Sequence, residues 1–363
     1  MDDAAPYTDE APYIDEAPYI GKAPYIGEMP YIDEAIELPF EKRMRSPENL
    51  RAAHMLREKI RREKYDLIIT HTSLAAFFTR LAVGNMKDRP KIINVVHGYL
   101  FDDGTPVLKR KLLLNAERLT APQTDLLLVM NEWDRGEAER SRLAKQIDKI
   151  PGIGVDFARL DRAEKGDGER LRRELGIVPG VFVLLCAAEF SRRKSQGVLI
   201  EAMAKLPERA VLVLCGAGAT LSECKALAHR LGVGSRVLFP GQIADMAPWY
   251  RMADAAAPAS RSEGLPFNVM EAMHCGLPVA ASRVKGHTDL IDDGETGLLY
   301  PYGSADACAA QVRRLMEDAA LRERLGGNAK AGAARYALDA VLPRVMERYL
   351  SQARETEPII TTV

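Results

Sequence analysis

Glu263-Gly-Leu-Pro-Phe-Asn-Val-Met-Glu271 lies between two short apolar segments, Asp254-Ala-Ala-Ala-Pro258 and Pro278-Val-Ala-Ala281. Gly264 permits close backbone approach and Pro266 suits the first position of a helix. The stretch therefore predicts a strand end, a loop, and a helix whose first turns run from Phe267 to Met273. The unpaired N–H groups at such a helix start favour an anion, and a diphosphate suits that end. Glu263 would stand in the loop just before the helix, with Glu271 about two turns further on.

Outward from this stretch, DAAAP (254–258) and PVAA (278–281) read as strands together with VFVLLCA (181–187), AVLVLCG (210–216) and RVLF (236–239). Such continuous apolar runs suit parallel strands covered on both faces. The Gly/Pro-rich connector Ile150-Pro-Gly-Ile-Gly-Val-Asp156 precedes this set. Before the connector, DLIIT (66–70), KIINVV (91–96) and DLLLVM (125–130) alternate with helix-compatible segments. Ser46-Pro47-Glu48 opens an amphipathic helix, with Leu50, Ala53, Leu56 and Ile60 at helical spacing. The βαβ rhythm thus runs twice, predicting an α/β protein with two doubly wound parallel-sheet domains facing a cleft. Chemistry is expected beyond the carboxyl ends of the strands.

A chain of 363 residues accommodates two domains, and 47% hydrophobic with 28% charged residues is ordinary for such a fold. No apolar run approaches the roughly 18 residues of a membrane span, and the start MDDAAPYTDE resembles no secretory signal, so a cytoplasmic protein is expected. The cysteines (Cys186, Cys215, Cys224, Cys275, Cys308) form no CxxC pair and read as buried free thiols. Residues 5–34 are five tandem hexapeptides, from APYTDE to MPYIDE. Proline at every repeat blocks a helix, so an extended or disordered acidic tail is expected. Residues 1–40 carry ten acidic side chains and one lysine, a balance of −9 that leaves +8 on the remainder. That excess fits an anionic ligand or membrane surface, and equally fits plain solubility.

Glu263 and Glu271, with Gly264-Leu265-Pro266 between them, resemble the EX7E signature of family 4 glycosyltransferases. Val237-Leu-Phe-Pro-Gly241, Asp254, Gly276-Leu-Pro-Val-Ala-Ala-Ser282, Gly286-His-Thr-Asp-Leu-Ile291 and Gly294-Glu-Thr-Gly-Leu-Leu299 occur in the order that family uses. The similarity extends from about residue 38 to residue 350 and is strongest in the carboxyl half. It implies two Rossmann-like domains of the glycosyltransferase B type: an acidic tail (1–34), an acceptor-side domain (35–155), a donor-binding domain (156–335), and a terminal helix and tail (336–363) packing back toward the acceptor side.

The resemblance also assigns roles. Glu271 would bind the donor ribose, while Glu263 and His97, in His97-Gly98 after KIINVV, would address the transferring sugar. Gly241, Leu265 and Phe267 fall in the donor-binding set. Lys194 matches a family lysine that stabilises the departing diphosphate. The Gly-Arg pair usual just before it is replaced by Ala188-Glu189, so Arg192 or Arg193 is expected to supply the missing cation. His71 and Tyr99 are candidates for the acceptor side, and His287 reads either as loop packing or as a phosphate neighbour.

The implied reaction moves a sugar, with retention, from a nucleotide diphosphate sugar such as a UDP-sugar to a saccharide or lipid-linked saccharide in cell-surface polysaccharide synthesis. No cofactor, metal or nucleic acid is expected. Gly216-Ala-Gly218 lacks a full GxGxxG, disfavouring hydride transfer with NAD. Lys109, Arg110 and Lys111, with Leu108, Leu112, Leu113 and Leu114, form a candidate membrane-surface helix for a lipid-linked acceptor and contact with the inner membrane, although a packed core helix has a similar composition. The family usually has a strand, a glycine-rich turn, a helix and a second strand before the equivalent of Glu37-Leu-Pro-Phe40, where this chain has the hexapeptides. The acceptor-side domain is therefore expected to be incomplete. A degenerate nucleotide- or partner-binding relative, and a nucleotide-sugar 2-epimerase, remain as alternatives.

Overall fold

A computed structural model describes residues 34–41, 43–353 and 359–362; the expected acidic tail lies outside them, apart from Glu34. The chain divides into two compact units, Met1–Glu63 and Lys64–Val363. In the first, a helix runs from Pro47 to Glu63, with proline at its first position as expected. The Ser46 hydroxyl accepts from the Glu48 amide at 3.3 Å. Buried Asn49 ties the preceding segment to the helix through Glu41 and Arg43. Ala53, Leu56 and Ile60 are buried as their spacing predicts, whereas Leu50 is exposed and Ala52 is buried.

The second unit holds the strands β1 (Leu67–Thr70), β2 (Lys91–Val96), β3 (Leu126–Val129), β4 (Gln146–Lys149), β5 (Phe182–Ala187), β6 (Ala210–Cys215), β7 (Val237–Gly241), β8 (Ala255–Ala256), β9 (Ala280–Ser282), β10 (Leu298–Tyr300) and β11 (Ile359–Thr362). One sheet has the order β11-β1-β2-β3-β4 and another β7-β6-β5-β8. β9 and β10 form a two-stranded sheet, joined to β8 by the Ala256–Val279 bridge. Every pairing is parallel.

This is the α/β architecture that the apolar runs imply, and β1 and β3 are buried at every residue. β4 escaped the sequence reading because Gln146-Ile-Asp-Lys149 is a polar edge strand with no fully buried position. The helix Leu338–Leu350 is anchored at its start by Val155, which donates to Tyr336 O and accepts from Leu338 N. Arg348 near its end lies 3.4 Å from Asp148 of β4.

Buried charges are paired. Arg80, 1% exposed, reaches Glu117 at 2.9 Å. Burial is the largest single influence on Asp125 and opposes its ionisation, but hydrogen bonds from Arg89, Lys145 and the Ile92 amide outweigh it and hold the carboxyl at about 2. All five cysteines are free.

Candidate active site

Glu263 follows β8 in a loop that ends at Pro266, whose extended backbone precedes the helix Phe267–His274. The carboxylate is 8% exposed and both of its oxygens are taken, by Arg193 at 2.7 Å and Lys194 at 2.7 Å. Burial opposes its ionisation, yet the charges of Lys194 and Arg193 prevail and hold it below the usual carboxylate range. The two cations sit on the turn Ser191–Ser195 after β5. The Lys194 amide donates to Ser191 O at 3.0 Å, and Ser195 takes a left-handed φ of 53°. Non-glycine residues held there cost energy and cluster at functional sites. Gly216 explains the short glycine loop: a Cβ there would sit 2.0 Å from Ala188 O, beneath the segment that carries Lys194.

The first sheet meets this loop backbone to backbone. Gly98, after β2, lies so close to Gly264 that an added Cβ would be 2.9 Å from the Gly264 Cα. Asn131 at the end of β3 donates to Gly264 O at 3.0 Å. A cavity of about 290 Å³ opens beside the contact, lined by His97, Met130, Glu189, Lys194, Glu263, Gly264, Leu265, Pro266 and Phe267 among others.

Glu271 does not line this cavity. It is 6% exposed on the helix Phe267–His274, where Oε2 accepts from the Tyr250 hydroxyl at 2.7 Å and Oε1 pairs with Arg159. Burial, reinforced by the Glu271 charge, pushes the Tyr250 phenol well above its ordinary range, so it remains a donor. The same helix is pinned by Asn268, which donates to Ala187 O at 2.9 Å, and by His274. The His274 ring stacks on Phe157 at 4.1 Å and meets Asp161 at 2.9 Å.

The structure thus brings together His97, Lys194, Arg193, Glu263 and the Gly264–Phe267 segment. Arg192 is exposed. Gly241 ends β7, its carbonyl accepting from Gly216 N at 2.7 Å, away from the cavity. His71 joins the site through His97, with its Nδ1 3.2 Å from Nε2. Tyr99 is a correction: it is 5% exposed and its ring stacks on Phe101 at 5.0 Å, leaving no surface for an acceptor. His287 proves to be loop packing, fully buried with Nδ1 against Ser282 O at 2.8 Å. Arg159, Tyr250 and Asn131 were missed, since no local pattern marks a partner far away in sequence.

Two parallel α/β sheets, with a cavity beyond their strand ends and a cation-bound carboxylate at a helix start, define the glycosyltransferase B-type fold. Residues 167–332 match the family described as Glycosyl transferases group 1, and residues 10–159 match Glycosyltransferase Family 4. EpsD of Bacillus subtilis (strain 168), a glycosyltransferase by provisional assignment, is 31% identical over 84% of this chain and 81% of its own. The N-acetyl-alpha-D-glucosaminyl L-malate synthase of Bacillus anthracis is 28% identical over 78% of this chain and 74% of its own. The structure of HepE from Anabaena, in complex with UDP, has a TM-score of 0.72 at 23% identity over 83% of this chain and 82% of that one, a likeness of fold. The chain belongs to glycosyltransferase family 4 and is a glycosyltransferase. Among the described residues no helix is long and apolar enough to cross a membrane.

Proposed function

We propose that the protein transfers a sugar, with retention, from a UDP-sugar to a saccharide or lipid-linked saccharide acceptor in cell-surface polysaccharide synthesis. The observation that carries this reading is Lys194 and Arg193 converging at 2.7 Å on Glu263 beside the helix start at Phe267. Cations and oriented amides are what a departing diphosphate needs. Lys194, with Arg193 or Arg192, would exchange part of its contact with Glu263 for the diphosphate. Glu271, oriented by Tyr250, would accept from the ribose hydroxyls, and Glu263 and His97 would address the sugar. The half after about residue 156 would carry the donor and the half before it the acceptor. The names of the relatives support this reading: the Bacillus anthracis relative is named for an N-acetyl-glucosaminyl transfer, and HepE was solved with UDP and with UDP-glucose.

A radiolabelled UDP-sugar assay over a panel of acceptors tests it. The Glu271→Gln/Lys194→Ala double variant should lose about 1,000-fold in kcat/KM, each position supplying a loss on the scale of one charge-stabilising contact or less. Activity at the level of the parent protein defeats the proposal.

The acceptor side adds a membrane contact to this reading. The helix Val107–Thr120 has only Thr120 fully buried, and Leu108, Leu112 and Leu119 are 83%, 66% and 66% exposed. At about 100° per residue these three fall within roughly 40° of one another, opposite half-buried Leu113. Exposed Lys111 and Arg118 flank them on one side and Lys109 on the other. Arg110 and Leu114 do not belong to this face: Arg110 pairs with Glu137 at 2.9 Å, and Leu114 packs inward. An outward leucine stripe edged by cations suits an anionic lipid surface. The protein should float with phosphatidylglycerol vesicles at low salt, and Leu108→Glu/Leu112→Glu should not. No enrichment of the parent protein removes the contact.

A further inference from the structure

β1 and β2 pair in register, with Thr70 opposite Asn94, and His71 and His97 come shortly after those positions. The strand pairing therefore sets the two rings side by side. Their centroids are 5.4 Å apart at a tilt of 42°, and His71 Nδ1 lies 3.2 Å from His97 Nε2. Beneath them Thr70 Oγ1 donates to Asn94 Oδ1 at 3.0 Å, both residues buried, which fixes the base on which the rings stand. His97 lines the cavity and His71 does not.

Both rings are shifted toward the neutral form. Burial, then the neighbouring ring, brings His71 down to about 4, and burial lowers His97. Two neutral imidazoles in contact share a single hydrogen, so their tautomers are not independent. If His71 donates, His97 carries its own hydrogen on Nδ1; if His97 donates, its Nδ1 is bare. Either way Nε2 of His97 is engaged. Among the described residues, Nδ1 of His97 has no hydrogen-bond partner.

We propose that His71 is a positioning residue for sugar transfer: its Nδ1 engages His97 Nε2 and holds the His97 ring in one orientation, leaving His97 Nδ1 as the ring nitrogen that meets the donor sugar. This rests on the role given above to His97. It gives His71 a task within the site, in place of contact with the acceptor.

The test separates the two ring nitrogens of His71. In His71→Asn an amide reaches the place of Nδ1, in His71→Gln it reaches that of Nε2, and His71→Ala reaches neither. Long-range ¹⁵N–¹H spectra of labelled protein, with His97 assigned through His97→Gln, report the hydrogen bonding of each ring nitrogen without any turnover. The parent protein and His71→Asn should show His97 Nε2 hydrogen-bonded, while His71→Ala and His71→Gln should show it without that bond. In the same order, kcat should be kept or fall about tenfold, the scale of one hydrogen bond, with UDP affinity unchanged. The proposal is overturned if His97 Nε2 keeps its hydrogen-bonded shift in His71→Ala, or if His71→Asn and His71→Gln have equal kcat. Should no donor be transferred by any variant, the reading of the site as catalytic fails on its own account, and the nitrogen shifts alone decide whether His71 positions His97.

Discussion

Gly264→Ala is expected to lose at least about 100-fold in kcat/KM while still melting cooperatively. Its backbone needs no left-handed φ, so space alone forbids a side chain there. A Cβ would fall 1.7 Å from His97 O and 2.5 Å from the carbonyl carbon, in backbone that leaves β2 and cannot swing aside as a side chain could. Retreat is also blocked, because Gly264 O accepts from Asn131 and lies 2.8 Å from where a Cβ on Gly286 would be. Relief requires the loop carrying Glu263 to draw back from His97 by an ångström or more, and a misplacement of about 1 Å is enough for a loss of that size. The overpacking should cost about 1–3 kcal/mol of stability, readable in a denaturant melt. Gly327→Ala, where an added methyl meets nothing within 4 Å, is the matched control. Transfer by Gly264→Ala within a few-fold of the parent protein would mean that the His97–Glu263 spacing does not set the rate.

The same glycine shows what could be read from the chain. Close approach at Gly264 was legible, but the approaching partner is the His97 backbone of the other sheet, which no local pattern specifies. Strands such as Phe182–Ala187 announce themselves because burial on both faces demands an unbroken apolar run. β4 does not, since an edge strand such as Gln146–Lys149 needs only one apolar residue, Ile147, to face the core. In the site, Lys194 and Glu263 were legible from the resemblance, whereas the hold of Arg159 and Tyr250 on Glu271 joins residues that only the folded sheet brings together. His71 was legible as a residue of the site; its partner was not, because strand register and not sequence spacing places it on His97. Lys285 is the plainest case. No motif marks it within Ser282-Arg-Val-Lys-Gly-His-Thr-Asp-Leu290, yet it is 8% exposed as a residue and 4% at its side chain.

That lysine carries the largest stability effect. Its ammonium donates to Asp134 Oδ1 at 2.8 Å, Tyr99 O at 3.0 Å and Phe101 O at 3.1 Å, using all three of its N–H groups, and lies 4.6 Å from the centre of the Trp133 ring. Lys285 comes from the loop after β9, and all of its partners come from the loops and helix that follow β2 and β3, so one buried cation joins the β9–β10 sheet to the sheet of β2 and β3. Lys285→Met keeps most of the volume but leaves Asp134, 0% exposed, as a buried carboxylate without its cation, at a cost of about 3–5 kcal/mol at neutral pH. Burial already raises the Asp134 carboxyl above its ordinary value despite the charge of Lys285, and without Lys285 it should rise further. A carboxyl raised in the folded state binds its proton more readily there than in the unfolded chain. The penalty therefore grows as pH climbs through the folded value and fades as pH falls toward the unfolded value near 4. Denaturant midpoints for the parent protein and Lys285→Met should accordingly converge as the pH falls from about 7 toward that unfolded value. Lys285→Met/Asp134→Asn, which buries no charge at this point, should recover most of the loss at pH 7. A Lys285→Met protein within about 1 kcal/mol of the parent at pH 7, or a gap between them that widens in acid, would show that this pair does not hold the sheets together.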